Sequence, residues 1–149
     1  MQVAFRRYPY QKLNPRQQEG YNFQKVSAVL ADYGFLTIRL SSDWRGADFI
    51  AQHVDGITFL KVQLKGRPFF DKRYRDQDLY ICFSNADSWF LYPHDEVLGQ
   101  MLSAGRLQGT EAWDADGIYH FPKLTKLLAT LLEPYRLEAG RASGTLPLQ

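Results

Sequence analysis

Three side chains that could perform chemistry together lie on either side of one turn signal. Asp55-Gly56 joins two runs with strand-like alternation, and a two-residue Asp-Gly link of this kind predicts a tight antiparallel hairpin. In that hairpin the numbers of facing residues sum to 111, so Asp48 faces Gln63 with Cβ atoms about 5 Å apart. Lys65 lies two residues beyond Gln63 and shares its face. The pattern therefore predicts an acid, an amide and an amine on one patch.

Such a patch suits the metal-assisted hydrolysis of a phosphodiester. Carboxylate and amide oxygens are ligands that Mg²⁺ accepts, and the ion usually keeps several waters. A bound metal polarises the phosphate and lowers the pKa of a bound water. The ammonium group of Lys65 could orient the attacking hydroxide or stabilise charge on the transferring phosphoryl group.

The opposite face of this hairpin is apolar. The residues that alternate with the polar set are Phe49, Ala51, Leu60, Val62 and Leu64. They predict a core face, and a slip of one residue in the turn would scatter the polar group.

A helix is predicted from Pro15 to Tyr33. Asn14 suits the N-cap, Pro15 suits the first helical position, and Gln17 stands where a capping box needs it. Gly34 follows the last turn, where a left-handed residue commonly ends a helix.

One side of this helix is predicted to face the sheet. Phe23, Val26, Leu30 and Tyr33 recur at three- and four-residue steps and form an apolar stripe. Glu19 precedes Phe23 by four residues, so we expect it to point along the stripe toward the sheet and not into water.

The other elements alternate between strands and helices, which predicts an α/β domain. The predicted strands are Phe35–Leu40, Gly46–Val54, Ile57–Lys65, Leu79–Phe83, Ser88–Tyr92 and Gly117–Phe121. The predicted later helices are Asp95–Ala104 and Pro122–Leu137. We expect one domain over residues 1–138 and a flexible tail over 139–149.

Composition bounds the class of protein. The 149 residues are 45% hydrophobic and 15% aromatic, which excludes a disordered chain. The apolar runs are far shorter than the roughly 20 residues of a membrane span, and no signal peptide is visible. The single cysteine, Cys82, favours a reducing compartment, so a cytoplasmic location is expected.

Basic residues concentrate after the hairpin, although the net charge is only +2. Between residues 61 and 75 one acid, Asp71, stands against six basic residues: Lys61, Lys65, Arg67, Lys72, Arg73 and Arg75. Aromatic residues are interleaved with them. Such a segment can bind phosphates and stack on bases, or it can be an ordinary solvated surface.

Asp48, the hairpin, and Gln63-Leu64-Lys65 together resemble the motif of the PD-(D/E)xK nucleases, with Gln in the acidic position. The likeness covers roughly residues 14–83 and is greatest to archaeal Holliday-junction resolvases and to a cyanobacterial group I intron homing endonuclease, which also carries Gln there. The resemblance implies a restriction-endonuclease-like core: a helix, a three-stranded antiparallel meander, a helix and a further strand, in a mixed sheet flanked by helices.

The resemblance also implies a function and a set of roles. It implies a DNA endonuclease that uses Mg²⁺, with Mn²⁺ able to substitute. Asp48, Gln63, the Leu64 carbonyl and Glu19 would be metal ligands, and Lys65 would be the catalytic amine. The basic residues Lys61, Arg67, Lys72, Arg73 and Arg75 would contact DNA. Cutting two strands calls for two active sites, so a homodimer or a higher homo-oligomer is expected.

Each of these residues has a simpler interpretation. Asp48 could accept a backbone N–H near the 44–46 turn, and Glu19 could be an acid favoured at a helix start. Gln63 and Lys65 could form the solvated face of a strand. The chain could then be a nucleic-acid-binding module on the same fold whose catalytic activity has lapsed, or a protein-interaction domain.

Overall fold

The computed structural model describes residues 4–138, apart from the side chain of Trp44. The α-helices are α1 (Pro15–Asp32), α2 (His94–Ser103) and α3 (Lys126–Leu132). The strands are β1 (Phe35–Trp44), β2 (Ala47–His53), β3 (Phe59–Leu64), β4 (Phe69–Asp71), β5 (Leu79–Asn85), β6 (Ser88–Pro93), β7 (Ile118–His120) and β8 (Arg136–Glu138).

A six-stranded mixed sheet organises the chain, in the order β1-β2-β3-β5-β6-β8. The first three strands form an antiparallel meander, and β3 and β5 run parallel. Strands β4 and β7 pair separately as a small antiparallel sheet. The predicted α/β class is confirmed: helices flank a mixed sheet, and the chain begins with a helix and a meander.

Local signals determine α1. The Asn14 side chain accepts the Gln17 N–H, and the Gln17 side chain accepts the Asn14 N–H, each at 2.9 Å. Gly34 then follows the helix with φ 83°, a left-handed conformation that costs glycine little. The predicted start, cap and end of this helix are confirmed to within one residue.

The sheet separates two hydrophobic cores. One lies under α1 and contains Val26 and Leu30 with Phe49, Val62 and Cys82, all fully buried. The predicted apolar face of the hairpin is therefore confirmed. The second core lies on the other face, where α2 and α3 pack; its largest side chains include Phe70, Phe83, Tyr92, Leu98 and Leu128.

The hairpin keeps the predicted register but not the predicted turn. Strand β2 ends at His53, and the last ladder hydrogen bond runs from the His53 N–H to the Thr58 carbonyl. The connection is therefore longer than the two residues of a tight Asp-Gly turn. The Asp55 carboxylate accepts the N–H groups of Ile57 and Thr58, each at 2.8 Å, and so stabilises the wider loop.

The last predicted helix, Pro122–Leu137, is wrong in both bounds. Thr125 caps the helix through the Leu128 N–H, so the helix begins only at Lys126. Pro134 has no N–H to continue the helical hydrogen bonds, so the helix ends at Leu132 and one 3-10 turn, Glu133–Tyr135, follows. The segment after this helix turns into β8, which pairs with β6.

The connection from β3 to β5 also differs from the resemblance. A helix was expected between the meander and the next strand. Instead this connection contains strand β4 and a single 3-10 turn, Lys72–Tyr74. The fold thus keeps the meander and the parallel strand and replaces the intervening helix.

Within residues 4–138, no helix combines the length and apolarity that a membrane crossing requires. The tail predicted over 139–149 lies outside the described residues.

The capping box predicts a measurable share of stability. Replacing Asn14→Ala leaves the Gln17 N–H without its side-chain acceptor and should lower the free energy of unfolding by about 1 kcal/mol. Urea denaturation followed by circular dichroism measures this change. The exposed Gln24→Ala in the same helix is the matched control and should change stability by less than about 0.5 kcal/mol. Equal effects of the two variants would contradict the prediction.

Candidate functional site

The register places the predicted polar residues together. Phe49 pairs with Val62 and Ile50 pairs with Lys61, so the same register brings Asp48 opposite Gln63 at the end of the ladder. There the Oδ2 atom of Asp48 accepts the Leu64 N–H at 2.8 Å. The carboxylate thus takes the position of a backbone partner where the two strands diverge.

The backbone of Leu64 faces Asp48. The Lys65 N–H donates to the Cys82 carbonyl at 2.8 Å, on the β5 side of β3. Because successive peptide groups of a strand point to opposite sides, the N–H and carbonyl of Leu64 point toward β2. The Leu64 carbonyl therefore lies on the same side of the strand as the Asp48 carboxylate.

A tight turn between β1 and β2 carries a second acid into this region. Arg45 and Gly46 have φ of 52° and 89°, the left-handed values of a two-residue hairpin turn. Asp43 accepts the Gly46 N–H at 2.7 Å. Asp43, and not Asp48, is therefore the acid that holds this turn, which corrects the simpler interpretation of Asp48.

An open cleft of about 900 Å³ borders these acids. Its lining comes from the start of α1, the end of β1 and the start of β2, and consists of Asn14, Arg16, Gln17, Glu19, Arg39, Leu40, Ser41, Ser42, Asp43 and Asp48. The structure thus brings Glu19, on a helix, and Asp48, on a strand, to one cleft.

Glu19 is more accessible to water than its position beside the apolar stripe suggested. Its side chain is 55% exposed, and its Oε1 lies 3.9 Å from Nη2 of Arg39. Glu19 lies on the same side of α1 as Val26, but two turns nearer the start of the helix, where the helix borders the cleft and not the core. The expectation that Glu19 points away from water is wrong, while its approach to Asp48 stands.

The environment of Asp48 disfavours its charge. Burial raises the pKa of Asp48 above the ordinary value of 3.8. The hydrogen bond from Leu64 opposes this effect, the charge of Glu19 adds to it, and the charge of Lys65 opposes it again. A carboxyl group in a cleft whose pKa is perturbed by burial and by neighbouring charges is a candidate for function.

Lys65 lies on the same face as Asp48. Burial lowers the pKa of its amine, while the charges of Asp48 and Asp71 raise it again without cancelling the effect of burial. The Nζ atom lies 4.1 Å from the centre of the Phe69 ring, a cation–π contact. The amine thus lies against an aromatic ring and feels the charges of two acids.

Phe69 is itself fixed by a residue from β6. The Tyr92 hydroxyl accepts the Phe69 N–H at 3.0 Å and donates to the Phe69 carbonyl at 2.7 Å. Tyr92 is fully buried. The ring beneath Lys65 therefore has a defined position within the second core.

Gln63 presents an uncommitted amide. Its backbone pairs with Ile81 in the parallel ladder, and its side chain is half-buried. That side chain makes no hydrogen bond to any residue in the described part of the chain. Its amide oxygen is therefore available to a ligand.

The available donors are hard oxygens. Within residues 4–138, no three His, Cys, Asp or Glu side chains lie close enough together to hold a metal ion. A metal would depend on Asp48 with the Gln63 amide and the Leu64 carbonyl, and on Glu19 across the cleft. Mg²⁺ uses one or two carboxylates and completes its shell with water, so this donor set fits Mg²⁺ and not a softer metal.

The basic residues after the hairpin do not form one surface. Arg73 pairs with the buried Asp71, with Nη2 and Oδ2 at 2.7 Å, and Lys72 lies over the Trp113 ring. Arg67 is exposed, whereas Arg75 lines a separate depression beside α2. Their role in binding DNA stays a prediction.

His94 and Asp95, which resemble a ligand pair in sequence, have a structural role. The Nε2 atom of fully buried His94 accepts the Asp71 N–H at 3.0 Å, and Nδ1 lies 2.9 Å from Oδ1 of Asp95. Burial lowers the pKa of His94. The ring is therefore neutral, donates from Nδ1, and anchors β4 to the start of α2.

Sequence reasoning missed the contribution of Asp43 and Arg39 to the cleft. The available signal was the polar end of β1, Ser41-Ser42-Asp43, which in sequence predicts the end of a strand. The strand in fact continues through these residues to Trp44, with a register shift after Arg39. That irregularity turns the polar side chains toward the cleft.

Comparison with known proteins gives little beyond this geometry. No family model matches the chain, and no curated protein matches it. One solved structure, a Holliday junction resolvase (Hjc) from Archaeoglobus fulgidus, aligns with 18% identity and a TM-score of 0.38, over 47% of this chain and 74% of that one. This is at most a distant relationship, so the chemistry is inferred from the geometry of the site alone.

Charge removal at Asp48 should stabilise the protein. Asp48→Asn keeps an oxygen for the Leu64 N–H and removes a charge that burial disfavours. At pH 7 we expect a gain in the free energy of unfolding of less than about 1 kcal/mol, because solvent screens the half-buried group.

The gain should depend on pH. Because the pKa of Asp48 is raised in the folded state, the folded protein takes up a proton at a higher pH than the unfolded chain does. The wild type therefore gains stability as the pH falls through the folded-state pKa toward 3.8. The advantage of the variant should therefore shrink between pH 7 and pH 4 in urea titrations. A variant that is less stable than the wild type at pH 7 would contradict this account, and Asp87→Asn, an exposed acid in the turn between β5 and β6, is the control.

Proposed function

We propose that this chain is a metal-dependent DNA endonuclease that hydrolyses phosphodiester bonds. The observation that supports this most directly is the end of the β2–β3 ladder. There the Asp48 carboxylate accepts the Leu64 N–H and shares one face of the sheet with Gln63 and Lys65. It also borders the cleft that Glu19 lines. Two charged groups destabilised by burial are rarely kept together for stability alone.

Asp48, Gln63 and the Leu64 carbonyl would hold Mg²⁺ or Mn²⁺, and Glu19 would complete the metal or water shell. When bound, the ion would polarise a phosphate and supply a water of lowered pKa. Because Gln63 is neutral, the site has one negative charge fewer than the acidic motif that it resembles. We therefore expect metal affinity to be modest.

Lys65 would act next to the metal. Its amine is restrained by the Phe69 ring, so it needs little reorganisation to orient a water or to donate a hydrogen bond to a phosphate oxygen. The lowered pKa of Lys65 makes proton transfer near neutral pH easier than for an exposed lysine.

DNA is the proposed partner, and a homodimer or a higher homo-oligomer is the proposed assembly. Arg16 and Arg39 line the cleft beside the acids and would contact the phosphate backbone. Binding that depends on such contacts should weaken steeply as the salt concentration rises.

The first test is cleavage of plasmid and branched DNA with Mg²⁺ or Mn²⁺. Asp48→Asn and Lys65→Met should each lower the cleavage rate by about 100-fold or more, since each removes a charged group from the reacting centre. Asp48→Asn keeps the hydrogen bond to Leu64, so loss of activity in this variant cannot come from loss of that contact.

Two exposed residues far from the cleft serve as matched controls: Asp32→Asn and Lys126→Met. Both should cleave at the rate of the wild type. Full activity in Asp48→Asn or in Lys65→Met would exclude the assigned site.

The second test concerns the metal directly. Gln63→Glu adds a carboxylate beside Asp48 and should increase the affinity for Mn²⁺ by about tenfold or more in calorimetry. The same substitution in an Asp48→Asn background should lose most of this gain. Failure of Gln63→Glu to increase affinity would mean that residue 63 does not reach the ion.

The alternative is a nucleic-acid-binding module that has lost its activity. The neutral Gln63, together with the lack of three grouped acidic or histidine ligands in the described residues, favours it. It predicts no Mn²⁺ binding that depends on Asp48, together with salt-sensitive DNA binding. A protein-interaction domain predicts neither.

A further inference from the structure

Apolar side chains are exposed at the hairpin end of the β1–β2–β3 meander. Five of them form what we call the meander patch: Leu36 (68% exposed), Ile38 (52%), Val54 (77%), Ile57 (84%) and Phe59 (53%). Hydrophobic residues scattered over a surface are ordinary, but a contiguous group of this size is typical of an interaction site.

The strand register makes the patch continuous. Leu36 pairs with Gln52 and Gln52 pairs with Phe59, so Leu36 and Phe59 lie in one row across three strands. Ile38 pairs with Ile50 in the next row. These side chains share the face opposite the α1 core, because neighbours in sequence alternate between faces.

No helix covers this part of that face in the described structure. The second core, formed by α2 and α3, includes residues of β5 and β6 such as Ile81, Phe83 and Tyr92. None of the five residues of the patch belongs to it. On this face the sheet is therefore covered beneath β5 and β6 and near Leu40 and Ala47, and bare at the hairpin end of the meander.

The loop at the tip of the hairpin is rigidly held. Asp55 accepts the N–H groups of Ile57 and Thr58 and the Thr58 hydroxyl, at 2.7–2.8 Å. The Val54 N–H donates to the Gly34 carbonyl at 2.9 Å. Val54 and Ile57 are thus exposed by a loop of fixed shape, which reduces the entropy lost when a partner binds.

The area of the patch matches one half of a homodimer interface. Five side chains that each expose roughly 100 Å² give on the order of 500 Å² of apolar surface. A standard interface buries about 800 Å² on each partner, and about 65% of a homodimer interface is apolar, which is again roughly 500 Å².

The charges around the patch favour a copy of itself over DNA. Asp55 at the tip and Lys61 in the second row have opposite signs, so two copies can meet without a net excess of like charge. A phosphate backbone would need a basic surface, whereas Asp55 and Lys61 give the surroundings of the patch no excess of positive charge.

We propose that a second copy of this chain docks on the meander patch and forms a symmetric dimer with the two sheets face to face. The row of Asp48 and Gln63 comes after the row of Ile38 and Ile50, about 7 Å farther along the strands. Each candidate site therefore lies beside the interface. The dimer concerns assembly alone and does not depend on the proposed activity.

The test is the mass in solution, measured by light scattering after size exclusion and by sedimentation, without DNA or metal. The wild-type chain of 17.3 kDa should run as a dimer at about 100 µM. Leu36→Asp and Phe59→Asp should each weaken the dimer by about 100-fold or more and give monomers at the same concentration.

Phe5→Asp is the matched control, because Phe5 is 97% exposed and lies outside the patch; it should remain dimeric. Circular dichroism checks that each variant is folded. If Leu36→Asp or Phe59→Asp does not fold, Ile57→Asp in the loop takes its place.

A monomeric wild type at about 100 µM would overturn the proposal. So would a dimer that survives all folded patch variants, since its interface would then lie elsewhere. A monomeric wild type whose DNA affinity falls in Phe59→Asp would assign the patch to nucleic acid instead.

Discussion

One hydrogen bond organises the candidate site: the Leu64 N–H donates to Asp48 where β2 and β3 diverge. A backbone group at the end of a ladder needs an acceptor, and here a carboxylate supplies it. That contact holds Asp48 against β3 and aligns it with the Leu64 carbonyl. It also leaves the second carboxylate oxygen for the cleft.

This arrangement disfavours the charged forms of Asp48 and Lys65. Burial raises the pKa of Asp48 and lowers that of Lys65, so each group is displaced toward its neutral form. Their mutual attraction recovers only part of the desolvation cost. Such a pair is better explained by a functional role than by a contribution to stability. The pair of Asp71 and Arg73 differs, because hydrogen bonds from Arg73 lower the pKa of Asp71 despite its burial.

Local signals predicted α1 and the register of the hairpin. The register was correct although the turn was not, because a four-residue connection between His53 and Thr58 leaves the same residues facing each other as a two-residue turn. The sequence therefore predicted which residues share a face with Asp48. It could not predict the hydrogen bond to Leu64, because that bond depends on where the strands separate.

Elements that depend on distant partners were missed. Strand β4 forms because its residues pair with β7, about fifty positions later, and β8 forms because it pairs with β6. The leucine pattern after Pro122 suggested one long helix, whereas the Thr125 cap and Pro134 limit it to Lys126–Leu132. The exposure of Glu19 was missed because sequence spacing does not give the angle at which α1 crosses the sheet.

The Tyr92–Phe69 contact shows how far the site extends along the chain. All the proposed metal and amine residues lie before β4, yet the ring beneath Lys65 is fixed by a hydroxyl from β6. A segment that contains all the proposed metal and amine residues is therefore not sufficient to hold them in position. A minimal version cut after the meander, or a graft of the motif onto another scaffold, would carry the reactive groups without the support that holds the amine in place.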